Sequence, residues 1–260
     1  MIETAFIKHL LVTMSLITPR LLATFAVLPF FSTQIFQGHI RNGMALTFAL
    51  IIFPMVSPTL PAEFSVFMIV MIAVKEAVIG MLLGFLGAII FWVAENVGFF
   101  IDNQRGTTMA SVVDPLSGEQ TSPIGSLLVQ AVTVYFFMSG GFLGLLSVIY
   151  ESYRIWPILS FFPHIDGKLP VFILHQVDLI MSMTVLLTAP IIIALFIAEF
   201  GLGLINRFSP QLNVFFLSMP IKGGIASFLL VIYFQLLMYL FARYYSQANS
   251  IISFLRGIIE

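Results

Sequence analysis

The chain has 260 residues, 60% of them hydrophobic and 9% charged, with a mean hydropathy of +1.07. Soluble domains carry about 25% charged residues, so this composition excludes an ordinary soluble domain and points to a membrane protein. A net charge of −1 lacks the basic footprint that nucleic-acid binding needs, and the absence of cysteine excludes disulfides, thiol nucleophiles and Cys-ligated metal sites.

Residues 10–36 form the first apolar block. It reads as mature structure, because Pro19-Arg20 interrupt it and no clear small-x-small cleavage site follows. A lipid-facing Arg20 at mid-depth would cost roughly 2.5–3.5 kcal/mol or more, so Arg20 either faces protein, water or an interface, or snorkels from a helix end. Residues 43–60 form the second block. Its exit, marked by Pro54, Pro58 and Pro61, reads as an irregular turn.

Residues 64–101 are apolar and proline-free for nearly forty residues. One helix of that length measures close to ~57 Å, against a hydrocarbon core of about 30 Å, which predicts a steep tilt, a break or an unusual position in the bilayer. Lys75 and Glu76 are neighbours in sequence and point to different faces, so each is expected to need another partner. Gly80, Gly84 and Gly87 form a smooth strip suited to close helix packing. Glu95 and Asp102, seven apart, share a face.

Gly98 to Gln130 (GFFIDNQRGTTMASVVDPLSGEQTSPIGSLLVQ) is the longest polar interruption. Asp102 and Arg105 share a helix face, and Asp114-Pro115 disfavours helix. The stretch predicts a helix end, an ordered loop of roughly twenty residues, and a new helix from about Pro123; loops that long are uncommon and usually functional.

Residues 124–150 predict one further block, with Gly140 and Gly144 as a packing pattern. The connection from Tyr150 to Pro170 is aromatic and proline-rich, and Tyr150, Tyr153 and Trp156 suit an interface. Residues 171–205 form another long block, with Pro190 as a kink site and with His175 and Asp178 on one face near the helix start. The run Asn206 to Lys222 predicts a second polar break, in which a short apolar piece ending at Pro220 is re-entrant or buried in protein. Residues 225–241 form the last block, followed by a tail that could lie along an interface.

No H-E-x-x-H, G-x-S-x-G, Walker A or dinucleotide fingerprint occurs, and His9, His39, His164 and His175 form no ligand motif. The expectation is a protein that is not an enzyme and uses no cofactor or metal. The fold class expected is all-α: one polytopic membrane unit over residues 1–260, with about six apolar helical blocks in hairpins, some long or broken, and a central ordered polar loop at 102–123. An excess of Phe (28) over Trp (2) and Tyr (7) suggests that much apolar surface meets protein. From the residues alone three readings stay open. One is a channel subunit in an assembly. The second is an ion-coupled secondary transporter using Lys75, Glu76, Asp178 and Glu199. The third is a passive assembly scaffold in which the loop is only structural.

Two runs carry a resemblance. D-N-Q-R-G, then M-A and D-P-L-S-G-E-Q-T-S-P, is similar to the central loop of the SctT/SpaR/FliR family, export-gate subunits of type III secretion systems. Asn206-Arg207-Phe208-Ser209-Pro210-Gln211-Leu212-Asn213 through Met219-Pro220-Ile221-Lys222 resembles that family's second signature, and the wording of both is closer to injectisome than to flagellar members. The resemblance implies a core subunit of the export gate in the bacterial inner membrane, set unusually high relative to the bilayer. Its implied partners are SctR/FliP-type and SctS/FliQ-type gate subunits, an SctU/FlhB-type subunit, unfolded export substrates and membrane lipid. It implies that the loop plugs the closed pore, with Asp102, Gln104, Arg105, Gly106, Met109, Asp114 and Pro115 as plug residues and Arg105 latched to Asp102 or Asp114. It assigns Asn206, Arg207, Pro210, Asn213, Pro220 and Lys222 to shaping and subunit contacts. Lys75, Glu76 and Glu199 are expected to make polar contacts between helices or subunits.

Overall fold

A computed structural model describes residues 2–32, 37–56, 65–106, 122–161, 168–209 and 214–247. Among these residues the chain forms seven α-helices and no strand: α1 Ile2–Val27, α2 Gly38–Val56, α3 Val66–Gln104, α4 Pro123–Met138, α5 Gly141–Ile155, α6 Lys168–Phe208 and α7 Val214–Gln247, with a 3-10 turn at Pro29–Phe31 after α1. Five helices are long and apolar enough to cross a membrane, and α4 with α5 makes a sixth candidate bent by 72°. This is an all-α, multi-pass membrane protein.

Two compact units can be distinguished. Unit 1 comprises residues 1–89 and 137–173, with 249–260 outside the described residues; unit 2 comprises 90–136 and 174–248. In unit 1, α1 buries a stripe at helical spacing, in which Leu16, Ile17, Leu21 and Phe25 are fully enclosed. α3 lies against it at Gly80 and Gly84. A Cβ on Gly80 would collide with the Arg20 carbonyl, and one on Gly84 would stand 2.8 Å from both the Thr24 carbonyl and the Val27 Cβ. The small residues thus let the backbones approach closely, as the spacing predicts. Thr24 Oγ1 sits 2.8 Å from Arg20 O and 3.0 Å from Gly80 O, tying the two helices at the same level. Part of the phenylalanine excess packs within this unit: buried Phe25 and Phe31 lie 4.6 Å apart, and Phe31, Phe48 and Phe137 all meet Phe142 within 6.1 Å.

Three expectations change. The block at 124–150 is two helices, because Gly140 takes φ +77° and ends α4; a Cβ there would meet nothing within 4 Å, so this glycine serves a turn and not helix packing. Pro54 and Pro220 lie inside α2 and α7. α2 ends at Val56, two residues after Pro54, and the irregular exit expected over Pro58 and Pro61 lies outside the described residues, whereas the expected end of a short segment at Pro220 is absent. A proline removes one backbone donor, but helices in an apolar setting keep their remaining hydrogen bonds because no water competes for them. α3 is unbroken over 39 residues and α6 over 41, running through Pro190.

Candidate functional site

The roots of the polar loop lie in unit 2, at the end of α3 and the start of α4. Asp102, in the last turn of α3, is 1% exposed. Its Oδ2 accepts hydrogen bonds from Ser122 Oγ at 2.7 Å and from the Ile124 amide at 2.9 Å. The Ile124 N–H belongs to the first turn of α4, where backbone donors have no intrahelical acceptor. Ser122 stands at the N-cap with Pro123 after it, and its Oγ accepts from the Gly125 amide at 3.0 Å. One carboxylate from α3 therefore completes the cap of α4. The helices can approach this far because Gly98 and Gly125 meet backbone to backbone; a Cβ on Gly98 would collide with Gly125 N and Cα.

Arg105 Nη2 lies 2.6 Å from Asp102 Oδ1. Neither Asp102 Oδ1 nor Arg105 Nε has a well-directed hydrogen bond, so this is a charge contact more than an aligned fork. Of the two proposed latch partners for Arg105, the structure supplies Asp102; Asp114, with Met109 and Pro115, lies outside the described residues. Gly106 then adopts φ +83°, and its N–H donates to Asn103 O at 3.0 Å, which closes α3 in a left-handed turn that glycine adopts without strain. A Cβ at Gly106 would sit 3.5 Å from Met219 Cγ on α7.

A second cluster adjoins these roots. Lys222 Nζ on α7 is 3.3 Å from Glu199 Oε2 on α6, and Gln104 Nε2 on α3 reaches the same oxygen at 3.5 Å, the limit of hydrogen bonding. The two sequence signatures, far apart in the chain, thus come close: Met219 lies beside Gly106, and Gln104 and Lys222 both reach Glu199. Asn206 and Arg207 are exposed in the last turn of α6, where the cation suits the negative helix end. Pro220 is exposed on α7. Pro210 and Asn213 lie outside the described residues. His175 and Asp178 are exposed near the start of α6. Glu95 is exposed although it shares a helix with buried Asp102 seven residues on.

Lys75 and Glu76 belong to unit 1 and have their own partners. Glu76 is fully buried and receives Arg20 Nε at 2.6 Å and Nη2 at 3.0 Å in a two-point contact. Arg20, also fully buried, donates to Ser152 Oγ at 2.9 Å and Trp156 O at 3.1 Å, and its guanidinium lies 3.9 Å over the Tyr153 ring. Contrary to the expectation from helix geometry, Lys75 Nζ also reaches Glu76 Oε1, at 2.7 Å. A four-carbon stem can curl where two α-carbons cannot face each other. The ammonium in addition donates toward Pro157 O, Ile158 O and Ser160 O at 3.2, 2.7 and 3.2 Å. Two cations therefore hold the carbonyls that follow α5. Arg20 was visible as a buried-charge problem in sequence; that Glu76, 56 residues on, solves it was not.

The profile of the family described as Bacterial export proteins, family 1, matches residues 11–248. The chain belongs to this family. It is 45% identical over 228 residues to Yop proteins translocation protein T of Yersinia pestis, covering 87% of each chain. It is 33% identical over 229 residues to Surface presentation of antigens protein SpaR of Salmonella typhimurium, covering 88% of this chain and 85% of the relative. Against Flagellar biosynthetic protein FliR of Bacillus subtilis the identity is 28% over 214 residues, 82% of each chain. These relatives bear out the SctT/SpaR/FliR resemblance, and identity is higher to the two secretion proteins than to this flagellar one. A bacterial export protein of this family, built from apolar spans, is a protein-transport component of a type III export apparatus.

Proposed function

We propose that the chain is a non-enzymatic core subunit of a type III secretion export gate in the bacterial inner membrane, of the injectisome kind. It forms part of the pore for unfolded proteins and plugs it with the loop between α3 and α4. The observation that carries this reading is the root of that loop. Both ends, Asp102 and Ser122–Ile124, are fixed on one buried carboxylate, while Met219 of the second signature lies beside Gly106 and Lys222 shares Glu199 with Gln104. A loop rooted this firmly can change the course of its middle without loosening the helices that bear it. Asp102, Gln104, Arg105 and Gly106 form the root, and Met109, Asp114 and Pro115 belong to the plug itself. Glu199, Asn206, Arg207, Pro210, Asn213, Pro220 and Lys222 brace the root or contact neighbouring subunits, and Lys75 with Glu76 holds unit 1 together.

The partners in this reading are SctR/FliP-type and SctS/FliQ-type subunits, with an SctU/FlhB-type subunit alongside. No cofactor is called for. No observation favours the transporter reading. Asp178 and Glu199 lie 21 residues apart on α6, about 31 Å along the helix, and Lys75 and Glu76 are engaged within unit 1. The test is co-expression with and without the two smaller gate subunits, followed by mass measurement of the particle in mild detergent. A stable hetero-oligomer holding one copy of this chain supports the reading. A monodisperse chain indifferent to both partners contradicts it.

A further inference from the structure

Residues 156–160 leave α5 as irregular backbone, and four of their carbonyls accept from cations. The Trp156 carbonyl takes Arg20, and those of Pro157, Ile158 and Ser160 take Lys75. Ser160 O also accepts the Trp156 indole N–H at 2.9 Å, which closes the turn on itself. Around the Lys75 ammonium stand these three carbonyl oxygens, at 3.2, 2.7 and 3.2 Å, and Glu76 Oε1 at 2.7 Å. An ammonium has three N–H donors, so oxygens in excess of donors at contact distance surround a charge more than they accept a set of directed bonds. Glu76 already has a counter-charge in the two-point contact with Arg20. The second positive charge therefore rests mainly on carbonyl dipoles, at the negative end of α5.

We propose that the 157–160 turn and Glu76 form a monovalent-cation site, of the potassium and ammonium class, in which the Lys75 ammonium is the resident occupant, and that this occupancy gives the turn its conformation. Distance selects the class. Magnesium binds oxygen at about 2.0–2.1 Å and calcium at about 2.3–2.6 Å, shorter than any of the four separations here. Carbonyl oxygens are what replaces the hydration shell of potassium, and an ammonium ion is of similar size. Charge is the required feature, and the lysine stem is a tether. Carbonyls turned inward without a partner are costly in an apolar setting, so the turn does not keep this shape around a void. The Lys75 side chain is 10% exposed and Pro157 is exposed, so a free ion can reach the site once the stem is cut back. This inference needs only the geometry of unit 1 and stands apart from the gate reading.

The test is amide exchange across residues 156–161 in the purified full chain, for wild type, Lys75→Met and Lys75→Ala. Each is measured in detergent with potassium, ammonium or N-methylglucamine chloride at equal ionic strength. Wild type should be indifferent to the salt. Lys75→Met keeps an apolar stem without charge, and exchange should accelerate by roughly 10- to 100-fold in every salt, the scale of one hydrogen bond to a charged group. Lys75→Ala empties the site. It should show the same acceleration in N-methylglucamine chloride, and protection should return as potassium or ammonium is raised. Wild-type protection in Lys75→Met overturns the proposal, because the charge is then not needed. Equal exchange of Lys75→Ala in all three salts overturns it too, as does failure of that variant to fold in potassium; either result leaves Lys75 an ordinary side-chain contact.

Discussion

Replacing Asp102 by alanine removes a buried acceptor that joins both roots of the loop. The carboxylate is 1% exposed, so water does not freely take its place. The Ile124 amide and the Ser122 hydroxyl lose their partner together, and Arg105 loses its counter-charge. A buried donor left unsatisfied costs about 1–3 kcal/mol. The hydroxyl can rotate toward another acceptor and the Arg105 pair is partly solvated, so the amide dominates. The net loss is roughly 2–4 kcal/mol, confined to the first turn of α4 and the end of α3. Because every 1.4 kcal/mol is tenfold, amide exchange at Ile124 and Gly125 should accelerate by ~30- to 1,000-fold. Exchange across buried Leu128 and Val132 should change far less. The assay is hydrogen–deuterium exchange with peptide-level mass spectrometry in detergent. Unchanged protection of the 122–128 segment in Asp102→Ala would refute the reasoning, since the cap would then be supplied by something else.

Gly98→Ala should lower the thermal midpoint in detergent steeply, because its Cβ collides with the Gly125 backbone, whereas Gly203→Ala, with nothing within 4 Å, should be neutral or gain ~0.5–1 kcal/mol. Arg20→Met should cost about 3–5 kcal/mol by leaving Glu76 buried without its two-point partner, and the double variant Arg20→Met with Glu76→Met should cost less than the single changes added together. Chemical denaturation of all three variants measures that coupling. Lys222→Met should shift stability by no more than ~1 kcal/mol, because Glu199 is half exposed and screened; a larger loss in the same assay would show that the pair is structural.

Local signals in this sequence were readable and distant ones were not. The Asp102–Arg105 pair follows from i,i+3 spacing, and the start of α4 from Ser122-Pro123. The Gly80 and Gly84 contacts follow from a small-residue strip against an unnamed neighbour. The neighbour itself was not legible, because periodicity says that a face is smooth but not what lies on it. The same gap hid Arg20–Glu76 and the meeting of Gln104 and Lys222 on Glu199. Gly140 misled because a glycine reads alike whether it serves packing or a positive φ. Pro220 misled because proline is a weaker helix breaker in an apolar setting than in water.

The central claim is that the loop rooted at Asp102 blocks a pore. Its most direct test is the ion conductance of the assembled gate in planar bilayers, with the loop intact and with residues 107–121 shortened between unchanged roots. The account predicts a closed wild-type gate and a steady leak once the loop is shortened. Equal conductance from the two assemblies, with subunit composition unchanged, would contradict it.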